Sequence, residues 1–317
     1  MYSILFVIMD LRIIRTFNSF TIHHELLNAL SIHLIKDVFN MLREIVVKKL
    51  QTIEQFQEMQ KLDQEIWNRA PISVTQLIAV CNNGGVVLGA YKDTELVGIN
   101  YAFPAFQNGE TYLYSLILGV KRKYRELGIG ELLKTHLKEH ALEAGYEKCL
   151  WVFDPLESRN ANLNFTKLRA YAYQYIPDFY GELEDPFSVN LPTDRLFICW
   201  YLNDSDYLRW DEQMDELIET ASEIVPWQKT IAGLPMLDLE NQFNTELSYL
   251  NESYLLAVPT NFQKLKVENP ALAEDWRYKT RTIFIEMFKK DYAITKLVRK
   301  DEHVNMYVFV KKSLLAI

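Results

Sequence analysis

A short loop between a predicted strand and a predicted helix has the residues best suited to binding a ligand. It runs from Val120 to Gly130 and places four basic residues ahead of two glycines, Gly128 and Gly130. Glycines let a phosphate approach the backbone, and the first amides of the helix that follows have no internal partner. The loop lacks the Gly-Lys-Ser/Thr of a P-loop and the glycine spacing of a dinucleotide-binding turn. These residues therefore predict a pyrophosphate site.

The segments around this loop predict a mixed α/β sheet with helices on its faces. Strands are predicted at 45–50, 86–91, 96–103, 111–120, 149–153 and 196–202, and helices at 52–67, 128–144 and 161–173. In the helix 128–144, the apolar positions define one face, whereas Lys134, Lys138 and Glu143 are expected on the opposite, solvated face.

The rest of the chain divides into an N-terminal extension and a smaller C-terminal α/β unit. Residues 1–40 are either a real extension or an over-extended start ahead of Met41. The core is predicted at 41–202 and the C-terminal unit at 203–317. In that unit a strand at 254–258, a helix at 269–290 with Asn269 as its cap, and a hairpin at 293–298 and 306–310 are predicted.

The spacing Arg125-x-x-Gly128-x-Gly130, after a strand that ends at Val120, resembles the acyl-CoA signature of the GNAT superfamily of N-acyltransferases. The resemblance covers about residues 45–202. Further segments resemble a bacterial subfamily with a C-terminal extension, found near N-succinylamino acid racemases, in which some members are N-succinyltransferases. Those segments are 153–161, 177–181, Thr193-Asp194-Arg195, and Trp276-Arg277 with Arg281.

The resemblance implies an acyltransferase that uses acetyl-CoA or succinyl-CoA, without a metal, and acylates a small amine such as an amino acid. It implies that the strand 149–153 splays from the strand 111–120 to admit the thioester. The implied cofactor-binding residues are Leu118, Gly119, Val120, Arg125, Glu126, Leu127, Gly128, Ile129, Gly130, Glu131 and Asn160.

Direct attack of an amine on a thioester needs a base for the amine and an acid for the leaving thiolate. Tyr171 is a candidate acid, although a tyrosine at helical spacing is more often a core residue than a catalyst. Asp154 or Glu157 is a candidate base, or else part of a turn. Arg159 is a candidate ligand for a substrate carboxylate, or else a surface ion pair.

Further candidates have alternatives that the sequence leaves open. Tyr112, Tyr114 and Trp151 are candidates for lining the acceptor pocket, or else core aromatics. Arg277 and Arg281 form either a carboxylate clamp or surface pairs with Glu274 or Asp275. Because Arg169 stands where the subfamily pattern has glycine, a non-catalytic acyl-CoA-binding regulatory or interaction protein is the alternative function.

Composition narrows the classes of partner. The chain has 317 residues, of which 49% are hydrophobic, and a formal charge of −8, so a nucleic acid is not expected as partner. We expect a cytoplasmic protein without membrane spans, and a homodimer is left open. Cys81, Cys149 and Cys199 form no CxxC pair. The pattern His136-x-x-Glu139-His140 matches an inverted zinc-peptidase motif, but a helix face is the preferred interpretation.

Overall fold

The computed structural model describes residues 45–181, 191–203, 208–238 and 251–315, with side chains omitted for 208–213. The predicted extension 1–40 and the alternative start at Met41 lie outside these residues. The strands are β1 (Ile45–Lys49), β2 (Val86–Lys92), β3 (Glu95–Gln107), β4 (Glu110–Val120), β5 (Lys148–Phe153), β6 (Tyr171–Ile176), β7 (Arg195–Tyr201), β8 (Ser222–Glu223), β9 (Trp227–Lys229), β10 (Pro235–Leu237), β11 (Ser253–Pro259), β12 (Tyr292–Arg299) and β13 (Val304–Lys311).

The helices of the described residues are α1 (Ile53–Trp67), α2 (Val74–Asn82), α3 (Ile129–Glu143), α4 (Ser158–Ala161), α5 (Leu208–Glu219), α6 (Phe262–Glu268) and α7 (Pro270–Lys289). Helix α4 continues as a π-helical turn through Lys167. Thr52 caps α1 with a reciprocal capping box to Gln55, and Asn269 caps α7 as predicted. None of these helices is long and apolar enough to cross a membrane.

Eleven strands of the described chain form one sheet, in the order β1-β2-β3-β4-β5-β7-β6-β12-β13-β11-β8. The predicted mixed α/β architecture is thus confirmed, and the C-terminal strands extend the sheet through the pair Ile294↔Ala172. Helices α3 and α7 cover one face, whereas α1 and α2 cover the other face at the β1–β4 end. Helix α5 covers that second face at the C-terminal end.

The predicted helix 161–173 is wrong in its second half. Helical structure ends at Lys167, and Tyr171 begins β6, which pairs with β7. Between them Arg169 adopts a φ of 55°, in the left-handed region that favours glycine. Arginine at this position therefore keeps the backbone conformation that a glycine would adopt readily.

Candidate functional site

The N-terminus of α3 is open toward the loop that precedes it. Gly128 caps the helix with a φ of 72°, and no side chain in the described residues caps its amides. A Cβ built on Gly128 would meet no described atom within 4 Å apart from its chain neighbours, so the space around this position is open. The first hydrogen bond of the helix runs from the Leu132 amide to the Gly128 carbonyl. The Leu127 amide already donates to the Tyr124 carbonyl at 3.2 Å, whereas the amides of residues 128–131 and the helix dipole are available to an anion.

Two of the basic residues ahead of Gly128 are paired with a carboxylate. Lys121 Nζ lies 2.9 Å from Glu95 Oε1, and Lys123 Nζ lies 3.2 Å from Glu95 Oε2. Hydrogen bonds from Lys121 and Tyr124 lower the pKa of Glu95 to about 2. Two of the four basic side chains predicted to attract phosphate are thus already paired with a carboxylate.

Arg125 belongs to a second group of cations beside the same loop. Its Nε donates to the Val120 carbonyl at 3.1 Å, which fixes the side chain at the end of β4. Burial and the neighbouring guanidinium groups of Arg159 and Arg122 lower the pKa of Arg125. Arg159 forms an exposed ion pair with Glu126. Arg159 therefore forms a surface ion pair beside the loop from Val120 to Gly130, which we call the phosphate loop after the anion site predicted there. Its role in binding a substrate carboxylate stays a prediction.

Strands β4 and β5 diverge to form a wedge. They run parallel, and within the described residues they pair at Leu113↔Cys149 and Tyr114↔Leu150 alone, although β4 continues to Val120 and β5 to Phe153. The splay implied by the resemblance is thus confirmed. The backbone of Leu118–Val120 lies along the open side of this wedge. We call the point where the pairing ends, at Tyr114 and Leu150, the vertex.

Two glycines of this region have clear packing roles. A Cβ on Gly119 would lie 2.3 Å from Trp67 Cη2, so glycine is required there for α1 to pack against β4. A Cβ on Gly130 would make ordinary contacts with Leu163 and Leu118, at 3.6 and 3.8 Å. The backbone contacts predicted for Gly119 with a cofactor are compatible with this packing and remain predictions.

A buried polar cluster lies at the vertex on the α3 face, and the sequence analysis missed it. Lys134 is 1% exposed, although it was expected on the solvated side of the helix. Its Nζ donates to Ser115 Oγ at 3.0 Å and lies 3.6 Å from the centre of the Trp151 ring. Lys134 stands three residues before the buried Leu137 and seven before the buried Ala141. That helical spacing is the signal that would have placed it on the buried face.

Tyr171 is not brought to the wedge. It pairs with Cys199 on β7 and stacks on Tyr201 at 6.1 Å. Burial and the Cys199 side chain raise its pKa. In the sheet order, β6 lies two strands beyond β5, or about 10 Å away at ordinary strand spacing. The structure gives the predicted acid role of Tyr171 no geometric support.

The two candidate bases lie past the end of β5, at the mouth of the wedge, in different environments. Burial tends to raise the pKa of Asp154, but the Arg277 guanidinium, 2.6 Å away, lowers it overall. Burial and the Asp154 charge raise the pKa of Glu157, which accepts a hydrogen bond from Gln263 at 2.5 Å. Asp154 therefore holds a structural ion pair, whereas Glu157 is the carboxyl group better able to hold a proton.

Segments that resemble the subfamily lie together where α7 packs on the first half of the chain. Arg281 binds Asp194 through two hydrogen bonds of 2.8 and 2.6 Å, and the Tyr175 hydroxyl donates to the same carboxylate at 2.5 Å. Arg277 is 1% exposed. The alternative in which Arg277 and Arg281 pair with Glu274 or Asp275 on a solvated face is therefore wrong, because both join the C-terminal unit to the core.

The face of the wedge opposite α3 has aromatic side chains. Tyr114 alternates with Leu113, which packs toward α3, so its ring projects to the other face and contacts Phe103 at 5.4 Å. The Arg195 guanidinium lies 5.1 Å from the Tyr180 ring, and burial together with Tyr180 raises the pKa of Tyr114. Tyr112 is more enclosed, with its hydroxyl donating to Gln107 at 3.3 Å.

Other predicted residues have ordinary local contacts. A ring nitrogen of His136 lies 3.0 Å from the Leu132 carbonyl, and His140 lies 3.3 Å from Glu143. Asn160 is exposed on α4, next to Arg159 in the chain. The three cysteines are free thiols, with Cys149 and Cys199 buried.

Several solved structures match part of this chain at low sequence identity. Naa50 of Arabidopsis thaliana, in complex with the bisubstrate analogue CoA-Ac-MVNAL, is 16% identical over 49% of this chain and 97% of that chain, with a TM-score of 0.41. The ribosomal-protein-S18-alanine N-acetyltransferase of Escherichia coli is 9% identical over 50% and 94%, with a TM-score of 0.41. An aminoglycoside acetyltransferase from an uncultured soil metagenomic sample, in complex with sisomicin, is 18% identical over 40% and 89%, with a TM-score of 0.36.

These likenesses are too distant to give residue correspondences. A match to a protein-family sequence model defines the segment more closely. The matched segment begins just after β1 and ends just after the π-helical turn that follows α4. It therefore includes the wedge strands, the phosphate loop and the whole of α3. Residues 50–169, less than half of the 317-residue chain, match the model of the acetyltransferase (GNAT) family, and this segment has the sequence pattern of a GNAT acetyltransferase domain.

Proposed function

We propose that the protein is an acyl-CoA-dependent N-acyltransferase that acylates a small amine. The observation that carries the proposal is a juxtaposition: the uncapped N-terminus of α3 follows directly on β4, the strand that diverges from β5. A CoA molecule needs an anion site for its pyrophosphate and a narrow slot for its pantetheine arm. The amides of Glu126 and of residues 128–131, with Arg125, supply the first, and the backbone of 118–120 lines the second. The Leu127 amide is already bonded to the Tyr124 carbonyl.

The chemistry is direct attack by a neutral amine in a ternary complex. The amine nitrogen forms a bond to the thioester carbon, the carbon–sulfur bond breaks, and the nitrogen loses a proton while the thiolate gains one. Glu157 is the candidate base with the raised pKa, although it lies at the mouth of the wedge rather than at the vertex. In the β3–β4 pairing, Ser115 and Ile117 have partners on β3, whereas Leu116 between them has none. Leu116 therefore offers a position on β4, beside the vertex, for a donor to the oxyanion.

An amino acid is the acceptor that fits the face opposite α3. Arg195 projects to that face, because its neighbour Leu196 packs into the α3-side core. Tyr114 and Tyr180 adjoin it. A guanidinium beside aromatic rings suits an α-carboxylate with an apolar side chain. Tyr112 and Tyr114 then remain the candidate acceptor residues, with Arg195 added.

A non-catalytic acyl-CoA-binding protein is the second candidate. It is favoured by the placement of Tyr171 two strands from the wedge and by the pairing of Asp154 with Arg277. Both candidate functions need the same cofactor site, so cofactor binding alone does not separate them. Consumption of acyl-CoA in the presence of an amine does.

We expect CoA thiol release when the protein is given an acyl-CoA together with amino acids. The measurement is thiol release from acetyl-CoA and from succinyl-CoA in parallel, over a panel of amino acids and simple amines. Release that needs both the acyl-CoA and one class of amine supports the transferase. Thermal stabilisation by CoA without release supports the binding protein, and neither signal contradicts both.

A further inference from the structure

Lys134 is a buried cation without a counter-ion in the described residues. Its side chain is enclosed between α3 and the sheet, and its contacts there are a hydroxyl, Ser115 Oγ, and the ring of Trp151. Burial lowers its pKa to about 8, and the neighbour that acts against this shift is the Cys149 thiol rather than a carboxylate. Buried lysines are ordinarily paired with an anion, because an isolated charge in an apolar interior is costly.

Two further side chains at the same place have unused hydrogen-bonding capacity. Asn100 donates to Ser115 Oγ at 3.2 Å, but its buried Oδ1 has no partner in the described chain. Asn164 accepts from Trp151 Nε1 at 3.2 Å, and its buried Nδ2 is likewise unpartnered within the segments described. Burying such groups without a partner costs folding free energy, because the water bonds lost on burial are not replaced. The cluster therefore has two donors, Lys134 Nζ and Asn164 Nδ2, that can bind an acceptor, beside one acceptor, Asn100 Oδ1, without a partner in the described residues.

The position of the cluster defines what can reach it. Ser115 is the first residue of β4 beyond its last pair with β5, and Trp151 is the first residue of β5 beyond the same pair. Lys134 contacts both of them. It therefore lies at the vertex, where the wedge closes. A thioester that enters from the phosphate loop has its acyl group, the end farthest from the pyrophosphate, nearest to Lys134.

We propose that Lys134 is the residue that selects the acyl group, by pairing with a carboxylate at the far end of a short dicarboxylic acyl chain. This inference rests on the function proposed above. Lys134 supplies the positive charge, Asn164 a second donor, and Trp151 an apolar wall for the methylene groups. An acyl chain that ends in a methyl group would leave the buried ammonium without a counter-ion, and the protein would discriminate against it.

The test compares two acyl-CoA donors with the same four-carbon chain, succinyl-CoA and butyryl-CoA. The wild-type protein should have a kcat/KM for succinyl-CoA that exceeds the value for butyryl-CoA by at least about tenfold. In Lys134→Met, which keeps the length of the side chain and removes the charge, the ratio should fall to about one or below. Lys138→Met is the matched control, because Lys138 lies one turn later over the Trp200 ring, and its ratio should stay at the wild-type value.

The pH dependence of the wild-type protein supplies a readout that does not depend on a variant folding. The preference for succinyl-CoA should decline as the pH rises past about 8, because Lys134 then loses its proton. A bound carboxylate raises the pKa of the amine, so the decline belongs at or above that value. Butyryl-CoA transfer should show no parallel decline from this cause.

The outcomes separate this inference from the proposed function. Transfer of butyryl groups at a rate equal to or above that of succinyl groups overturns the role of Lys134 and leaves the transferase standing. An unchanged ratio in Lys134→Met also overturns it. If neither donor is consumed, calorimetry of the two acyl-CoAs decides: equal affinities overturn the role of Lys134, and no binding of either overturns the proposed cofactor site with it.

Discussion

Gly128→Glu is expected to lower CoA affinity at least about 100-fold and to leave the fold intact. A carboxylate at the helix N-terminus would occupy the position of the pyrophosphate and repel it. The introduced side chain has room, because no described atom lies within 4 Å of the Cβ position. The left-handed backbone of Gly128 costs the variant about 1 kcal/mol of stability, which is small against the loss of the anion site. Isothermal titration with CoA measures the effect.

Gly109→Glu is the matched control for this prediction. Gly109 lies at the tip of the β3–β4 hairpin with a φ of 85°, and a Cβ there likewise meets no atom of the described residues within 4 Å. The two variants thus carry similar backbone strain and the same added charge. Their melting temperatures should fall by similar amounts, while only Gly128→Glu loses CoA. Wild-type CoA affinity in Gly128→Glu would mean that the helix terminus is not the cofactor site.

The elements that position the site were predictable because local rules define them. The strand that ends at Val120, the helix that begins after Gly128 and the helix cap at Asn269 all match the sequence patterns. The helical periodicity predicted the wrong structure in the second half of 161–173, where a π-helical turn and a residue with positive φ precede β6. A single-residue conformation of that kind is set by packing, and hydrophobic spacing does not report it.

The sequence patterns could not predict which side chains pair across long distances in the chain. Arg277 and Asp154 are 123 positions apart, and nothing in either local pattern predicts that they meet. Lys134 was misplaced for a different reason. Its charge suggested solvent, although its spacing with Leu137 and Ala141 put it on the buried face. A charged residue at a buried helical position is therefore worth treating as a site candidate even where residue type argues for the surface.

Arg277→Met is expected to lower the free energy of unfolding by about 3 kcal/mol. Arg277 is 1% exposed and pairs with Asp154 at 2.6 Å, so its removal leaves the Asp154 carboxylate without its hydrogen-bonded counter-ion, with only the weaker charge effect of Arg195 in its place. The expected loss is at the lower end of the range for buried pairs, because the Asp154 side chain keeps 21% exposure to water. Urea unfolding at neutral pH measures it. Lys264→Met, which removes an exposed pair with Glu268, should cost less than about 1 kcal/mol.

The pH dependence of stability tests whether Arg277 acts through its charge. In the wild-type protein the pKa of Asp154 is lowered, so the stability that this carboxylate contributes is present above its unfolded pKa and is lost as the pH falls through its folded pKa. In Arg277→Met, burial is opposed by the weaker effects of Arg195 and the Leu156 amide, so we expect the pKa of Asp154 to rise and a proton to neutralise the carboxylate. The difference between wild type and Arg277→Met should therefore shrink between neutral pH and about pH 4.

The double variant Asp154→Asn/Arg277→Met should be more stable at neutral pH than Arg277→Met alone, since the introduced amide carries no charge and keeps an acceptor for the Leu156 amide. A penalty that does not change with pH, or a double variant no more stable than the single one, would show that Arg277 stabilises the junction by packing rather than by charge.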